Sequence, residues 1–227
     1  MTERGMIFNA DMVRAILDGR KTQTRREVKL NLDIASLATT YDWATSLAAN
    51  HYQGLTEEQI QQKAESLRGV IHPVILGNGQ MVSIICPHGK PGDRIWVREA
   101  FRVHSRATDV ATLVYKASER NSWTEQTHRV PVAVCNKPAT PEKWTPSLHM
   151  PRWASRILLE ITGVRVERLR SMSQDDARAE GVIAASGPME AGLAFRELWD
   201  SIYGEESWKA NPWVWVIEFK RVEGGTA

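Results

Sequence analysis

Strand-forming runs recur along the chain without helices set regularly between them. "MVSII" (81–85), "RIWVREAF" (94–101), "ATLVYK" (111–116), "RVPVAV" (129–134) and "WVWVIEFK" (213–220) are rich in β-branched and aromatic residues and bounded by turn signals. "SRILLEITGVRVERL" (155–169) reads as two strands, or one bent strand broken at Gly163. A parallel sheet needs a crossover helix after nearly every strand, and this order does not provide it. Short helices fall between and after the strands. "NADMVRAILD" (9–18) has Asn9 as N-cap and Met12, Val13, Ile16 and Leu17 on one face, with Gly19 at the position after the C-cap. Thr56 to Gln59 is a capping-box pattern. "SQDDARAEG" runs from a capping Ser173 to a closing Gly181, and "MEAGLAFRELWDSIYG" is amphipathic. The expectation is an α+β fold built on a barrel or strongly curved mixed sheet. The chain shows neither an internal repeat nor a linker long enough to divide it in two.

The 227 residues carry a net charge of only +2, so no global basic field draws the protein to nucleic acid. Affinity of that kind would have to come from local clusters, at 20–29 and in the arginine-rich stretch 152–170. The longest apolar runs are too short to span a bilayer, and Asp11 and Arg14 interrupt the N-terminal stretch where a secretory leader would need to be apolar. The expectation is a cytoplasmic protein with no membrane partner and no obligate protein partner. Cys86 and Cys135 stand in no paired-ligand spacing, and Cys86 with His88 is two ligands where a closed zinc site takes four, so neither metal nor cofactor is expected. The nine tryptophans serve packing, base stacking, or both.

The densest chemistry lies at 19–26, "GRKTQTRR": four cations and two hydroxyls directly after a helix end. Composition alone leaves three readings: a solvated basic loop, a phosphate-binding patch, or the reactive part of an enzyme. Gly19, Lys21, Thr24 and Arg26 match Gly-x-Lys-x-x-(Glu or Thr)-x-Arg, the motif of the ASCH family, a branch of the PUA-like β-barrel superfamily. The preceding helix, the "PGDRIWV" turn and strand, and the closing "WVIEFK" strand come in the same order as in that family. The chain most resembles its small bacterial N4-acetylcytidine amidohydrolases, which also place Thr at the Glu position. The resemblance implies a single ASCH-like domain over 1–227. It covers residues 7–26, 89–101 and 150–220, and the stretches at about 27–80 and 102–148 are insertions relative to minimal members. Larger relatives resemble prophage genes, which implies a phage-encoded protein working in a bacterial host cytoplasm.

The resemblance also implies a catalytic group. Lys21 and Thr24 take the family's Lys and Thr positions, and "LRSMSQDDARAEG" aligns Glu180 with its Glu. Asp176 stands where the family has His. The implied activity removes the acyl group from N4-acylated cytidine or cytosine. A non-enzymatic RNA-binding module and a ribonuclease are the alternatives, with a modified nucleoside or RNA as partner.

In such a reaction Thr24 supplies a hydroxyl, and neutral Lys21 takes its proton. Bringing a lysine from a pKa of about 10.4 to near 7 requires about 4 kcal/mol of differential stabilisation. Burial and the neighbouring Arg20, Arg25 and Arg26 push in that direction, whereas a carboxylate beside Lys21 opposes it. In an extended chain Lys21 and Thr24 fall on opposite faces, so this reading demands a turn between them. Glu180 is expected either to hydrogen-bond the cytosine ring or exocyclic nitrogen or to carry the proton to the leaving amine. Glu99, on a strand beside Trp96 and Val97, is an alternative acid or a substrate contact. Arg20, Arg26 and Trp153 are further candidates for substrate binding, Trp153 by stacking a base, with Arg152 beside it for a phosphate. The insertions are expected outside the barrel, with at least one roofing the pocket.

Overall fold

Asn9 caps the first helix as its sequence suggests: its side chain accepts from the Met12 N–H at 2.8 Å, and α1 runs over Ala10–Leu17. Gly19 leaves the helix with φ +74°, a left-handed turn natural to glycine. The computed structural model describes residues 1–29, 32–38, 54–183 and 190–222. Parts of the expected first insertion, 30–31 and 39–53, lie outside the described residues.

Among the described residues the central element is a five-stranded mixed sheet in the order β1 (Glu3–Ile7), β6 (Arg94–Arg98), β10 (Leu158–Arg168), β11 (Trp213–Arg221), β2 (Gln23–Glu27). The β1–β6 pair is parallel and the other neighbours are antiparallel. The run 155–169 contains a single long strand. Its register shifts between Ile161 and Gly163, a bulge that bends β10 without ending it. "RIWVREAF" behaves in the opposite way and is split at Glu99 and Ala100 into β6 and β7 (Phe101–Arg106). β7 begins a second sheet, of three strands, with β8 (Val110–Tyr115) and β9 (Thr127–Pro131). The third sheet joins β3 (Ile34–Leu37), β4 (Ile71–Leu76) and β5 (Met81–Ile85). The fold is therefore mixed α+β, with helices flanking the sheets.

Alternation along β11 gives the central sheet two apolar faces. Trp215 and Ile217 turn toward a core that includes Phe8, Met12 and Ile16, and the β3–β5 sheet adds Ile34, Val74 and Ile84 to that same core. The indole of Trp213 donates to the Ile34 carbonyl at 2.8 Å, so the β3–β5 sheet is fastened to the central one. Val214 and Val216 turn the other way, onto Leu169, Ala177, Phe195 and Trp199. Those residues join the sheet to α4 (Gln174–Ala179) and α5 (Glu190–Tyr203). Burying an aliphatic or phenylalanine side chain of this kind stabilises the fold by about 1.5–3 kcal/mol. The β7–β9 sheet has its own apolar cluster, closed by Met150 and Ala154. Among the described residues the other α-helices are α2 (Glu57–Leu67), with the expected capping box, α3 (Trp123–Gln126) and α6 (Glu205–Ala210). Among the described residues no helix is long and apolar enough to cross a membrane.

Candidate functional site

"GRKTQTRR" is mostly not a solvated loop. After Gly19 and Arg20 the chain enters the edge strand β2, and Lys21, Gln23, Thr24 and Arg25 are all buried. Cross-strand pairing sorts their side chains. Arg25 pairs with Val216 and so shares the face that meets α4 and α5, whereas Thr24 pairs with Ile217 and Arg26 with Trp215 on the opposite face.

α4 brings the carboxylate to Lys21. Ser173 caps that helix in a reciprocal box with Asp176, Glu180 is its C-cap, and Gly181 (φ +87°) turns the chain away. Lys21 and Glu180 form an isolated antiparallel bridge, and Thr22 N–H donates to the Ala179 carbonyl at 2.8 Å. The Lys21 amine, with a side chain 0% exposed, donates to Glu180 Oε2 at 2.7 Å and to the Glu180 carbonyl at 2.9 Å. Arg25, equally buried, donates to Glu180 Oε1 at 3.1 Å and to Glu167 at 2.6 Å, and lies 3.6 Å from Asp176. Arg165 completes the cluster, pairing with Glu167, Asp176 and Glu218.

Burial pushes the Lys21 pKa down from its ordinary 10.5. Glu180 opposes this, and Arg26 and Arg25 reinforce it, so the net direction is downward. Arg25 and Arg26 thus act on Lys21 as expected. Arg20 instead turns outward to the Gly181 carbonyl and to Asp18. Asp176, where the resemblance expected a histidine, is held below the ordinary carboxylate range. Its burial is outweighed by donors on Ser173 and Gln23 and by the charge of Arg25.

A cavity of about 410 Å³ lies beside this group, lined by Glu180, Gly181 and Arg20 with Met12, Val182 and Leu198. The structure therefore brings Lys21, Glu180 and Arg20 to one place. It does not bring Thr24 into contact with Lys21: the turn demanded between them is missing, β2 is extended over Gln23–Glu27, and the buried Thr24 hydroxyl has no hydrogen-bond partner. Arg26 borders a second and a third cavity.

Glu99 and Trp153 lie apart from the Lys21 group. Glu99 is 2% exposed and receives both arms of Arg156, at 2.9 and 3.0 Å, in the joint between β6 and β7. Burial raises its pKa and Arg156 opposes the rise. Trp153 packs edge-on to Phe101 in the β7–β9 cluster, and Arg152 pairs with Glu3. Among the described residues no group of three His, Cys, Asp or Glu side chains is placed to hold a metal ion.

Sequence reasoning missed Arg165 and Glu167 as members of the cluster. Their alternate positions in "VRVER" already put them on one strand face, but that face's neighbours come from β2 and α4, far away in the chain. Compared with known proteins, the chain matches no family model, no curated protein and no solved structure.

Proposed function

We propose that the protein is an amidohydrolase of the ASCH kind, with the central sheet as the body of a PUA-like barrel, and that it removes the acyl group from N4-acylated cytosine derivatives. The observation that carries this reading is the buried Lys21–Glu180 pair, of which Glu180 lines a cavity. A lysine whose proton affinity is lowered by burial stands 2.7 Å from a carboxylate, which is the arrangement a proton-transfer group requires. In this reading Thr24 Oγ1 attacks the acyl carbon and neutral Lys21 accepts the hydroxyl proton. The proton passes through Glu180 to the exocyclic nitrogen as the C–N bond breaks, and water then releases the acyl group from Thr24. The Thr24 hydroxyl is committed to no other hydrogen bond. To meet the Lys21 amine the backbone of 21–24 has to turn, a movement that substrate entry must drive.

The test is a panel of N4-acylcytidines followed by ultraviolet difference spectra, run beside an end-labelled RNA. Deacylation that disappears in Lys21→Ala supports the reading. Binding or cleavage of the RNA with every acylcytidine left intact replaces it with an RNA-binding module or a ribonuclease.

A further inference from the structure

Two further cavities follow the one beside Glu180 along the same helices. Met12 also lines a second cavity, of about 420 Å³, bordered by Arg26, His88, Arg98, Ile202 and Tyr203. Arg26, His88 and Tyr203 in turn line a third, of about 280 Å³, with Lys29, Glu27 and Trp215. Together they form a trough along α1 and α5. Leu198 at the first cavity and Ile202 at the second are one helical turn apart, about 6 Å.

The far end of the trough is cationic, and two of its arginines share one cavity. Arg25, Arg156 and Arg165 all pair with carboxylates. Arg26 instead donates to the Ile7 carbonyl at 2.9 Å and lies over the Phe8 ring. Arg98 likewise donates to the carbonyls of Ser147 and Leu148 and lies over Trp96. These contacts fix both guanidinium groups in place and leave their charge uncompensated. Among the described residues neither arginine nor Lys29 has an ion pair, and Glu27, the one acid lining the second and third cavities, pairs with none of them. Fixed guanidinium groups without a carboxylate partner, beside an aromatic wall, suit a phosphate.

Resting on the amidohydrolase reading, we propose that Arg26, Arg98 and Lys29 hold a phosphate group of the substrate, which is then a phosphorylated N4-acylcytidine, either a mononucleotide or a residue within RNA. The test is calorimetric binding of cytidine, cytidine 5′-monophosphate, a cytidylate pentamer and inorganic phosphate, each at low and high salt. The monophosphate is expected to bind at least tenfold more tightly than cytidine at low salt. That advantage should shrink as salt rises, because an exposed charge contact is screened. Arg98→Gln should lower it several-fold, and so should Lys29→Gln, whose exposed side chain makes misfolding no explanation. Inorganic phosphate should compete with the monophosphate. A pentamer bound tenfold more tightly again identifies RNA as the source, and equal affinity identifies the mononucleotide. Cytidine and its monophosphate binding alike, or neither binding, overturns the proposal, and so does an advantage that survives both substitutions. Acylcytidine hydrolysis without phosphate preference removes this site alone, whereas phosphate preference without hydrolysis removes the amidohydrolase reading alone.

Discussion

Lys21 and Arg25 share one buried carboxylate, so the two sides of that contact are not equivalent. Lys21→Ala leaves Glu180 with Arg25 still at 3.1 Å, and its cost should lie at the lower end of the range for a broken buried pair, about 3 kcal/mol. Glu180→Gln leaves two buried cations facing a neutral amide and should cost more in urea unfolding. Both should lower acylcytidine turnover on the order of a hundredfold or more, and Lys21→Arg should not restore it, because arginine stays protonated. Thr24→Val separates chemistry from folding. It removes a buried hydroxyl that has no partner, so stability should hold or rise while turnover falls to almost nothing, with Thr24→Ser keeping part of it. Full turnover in Thr24→Val would exclude the threonine as nucleophile. His88 gives a pH signature. Burial first, then Arg26 and Arg4, push its pKa from 6.5 to about 4. As pH falls through that window the unfolded chain takes up a proton that the folded protein refuses, so stability should drop between pH 6.5 and 4. The groups around it are Arg4 from β1, Arg26, Glu27 and Lys29 from β2 and its exit, Arg98 from β6 and Tyr203 from α5. The Asp176 carboxylate, held below 3.8, belongs to a lower range. Urea midpoints for His88→Asn should show a flatter profile over pH 6.5 to 4, and a profile as steep as wild type would assign the loss to other groups.

At the scale of elements, α4 is a short helix whose two ends set the Lys21–Glu180 contact. Ser173→Ala removes the cap and should cost about 1 kcal/mol. Gly181→Ala should do more. A Cβ there would stand 2.6 Å from Ala15 Cβ and 2.8 Å from Lys21 Cβ, at a φ of +87° that alanine resists. Such strain costs on the order of 1–3 kcal/mol, and relieving it means moving Glu180 away from Lys21. The expected result is a turnover loss larger than that of Ser173→Ala, visible in steady-state kinetics at a temperature where both variants remain folded. Equal turnover would show that the Glu180 position is not set by this turn. The helix caps, the closing glycines and the final strand were legible in the sequence because each is written in a few consecutive residues. Asn9 and Met12, Thr56 and Gln59, and Ser173 and Asp176 all lie three apart. Apart from Lys21 with Glu180, which the resemblance implied, the long-range pairing could not be read. Nothing near Arg25 announces Glu167, Asp176 and Glu180, and nothing near Glu99 announces Arg156, 57 residues on. β4 was obscured for a different reason: Pro73 within it removes a ladder donor and argues against a strand, although it does pair, opposite Ser83. The turn that the catalytic reading demanded between Lys21 and Thr24 is not found, because Thr24 is committed to the ladder of β2 opposite Ile217.

For the molecule as a whole, the question is how the β7–β9 sheet, with its separate apolar cluster, is held to the central sheet. The Arg156 side chain sits at that joint. It grips Glu99 between β6 and β7, donates to Ser118 at 2.9 Å and to the Glu125 carbonyl at 3.1 Å, and lies 4.0 Å over the Tyr115 ring. One guanidinium thus ties the start of β10 to β8, to α3 and to the β6–β7 corner. Arg156→Leu would leave Glu99 buried without its partner, a change that should cost about 3–5 kcal/mol. Replacing both, as Glu99→Met with Arg156→Leu, should cost less than the single change, because no charge is then stranded. Local opening should follow the joint. In Arg156→Leu, amide hydrogen exchange in β7–β9 should accelerate at least tenfold, with a smaller change in β10 and β11. None of the three trough cavities is lined by β7–β9, so acylcytidine turnover should change little at a temperature where the variant is folded. Uniform acceleration across all the sheets would mean that Arg156 supports the whole fold and not a joint. A collapse of turnover with exchange unchanged would return Glu99 to the role of working acid and take it from Glu180.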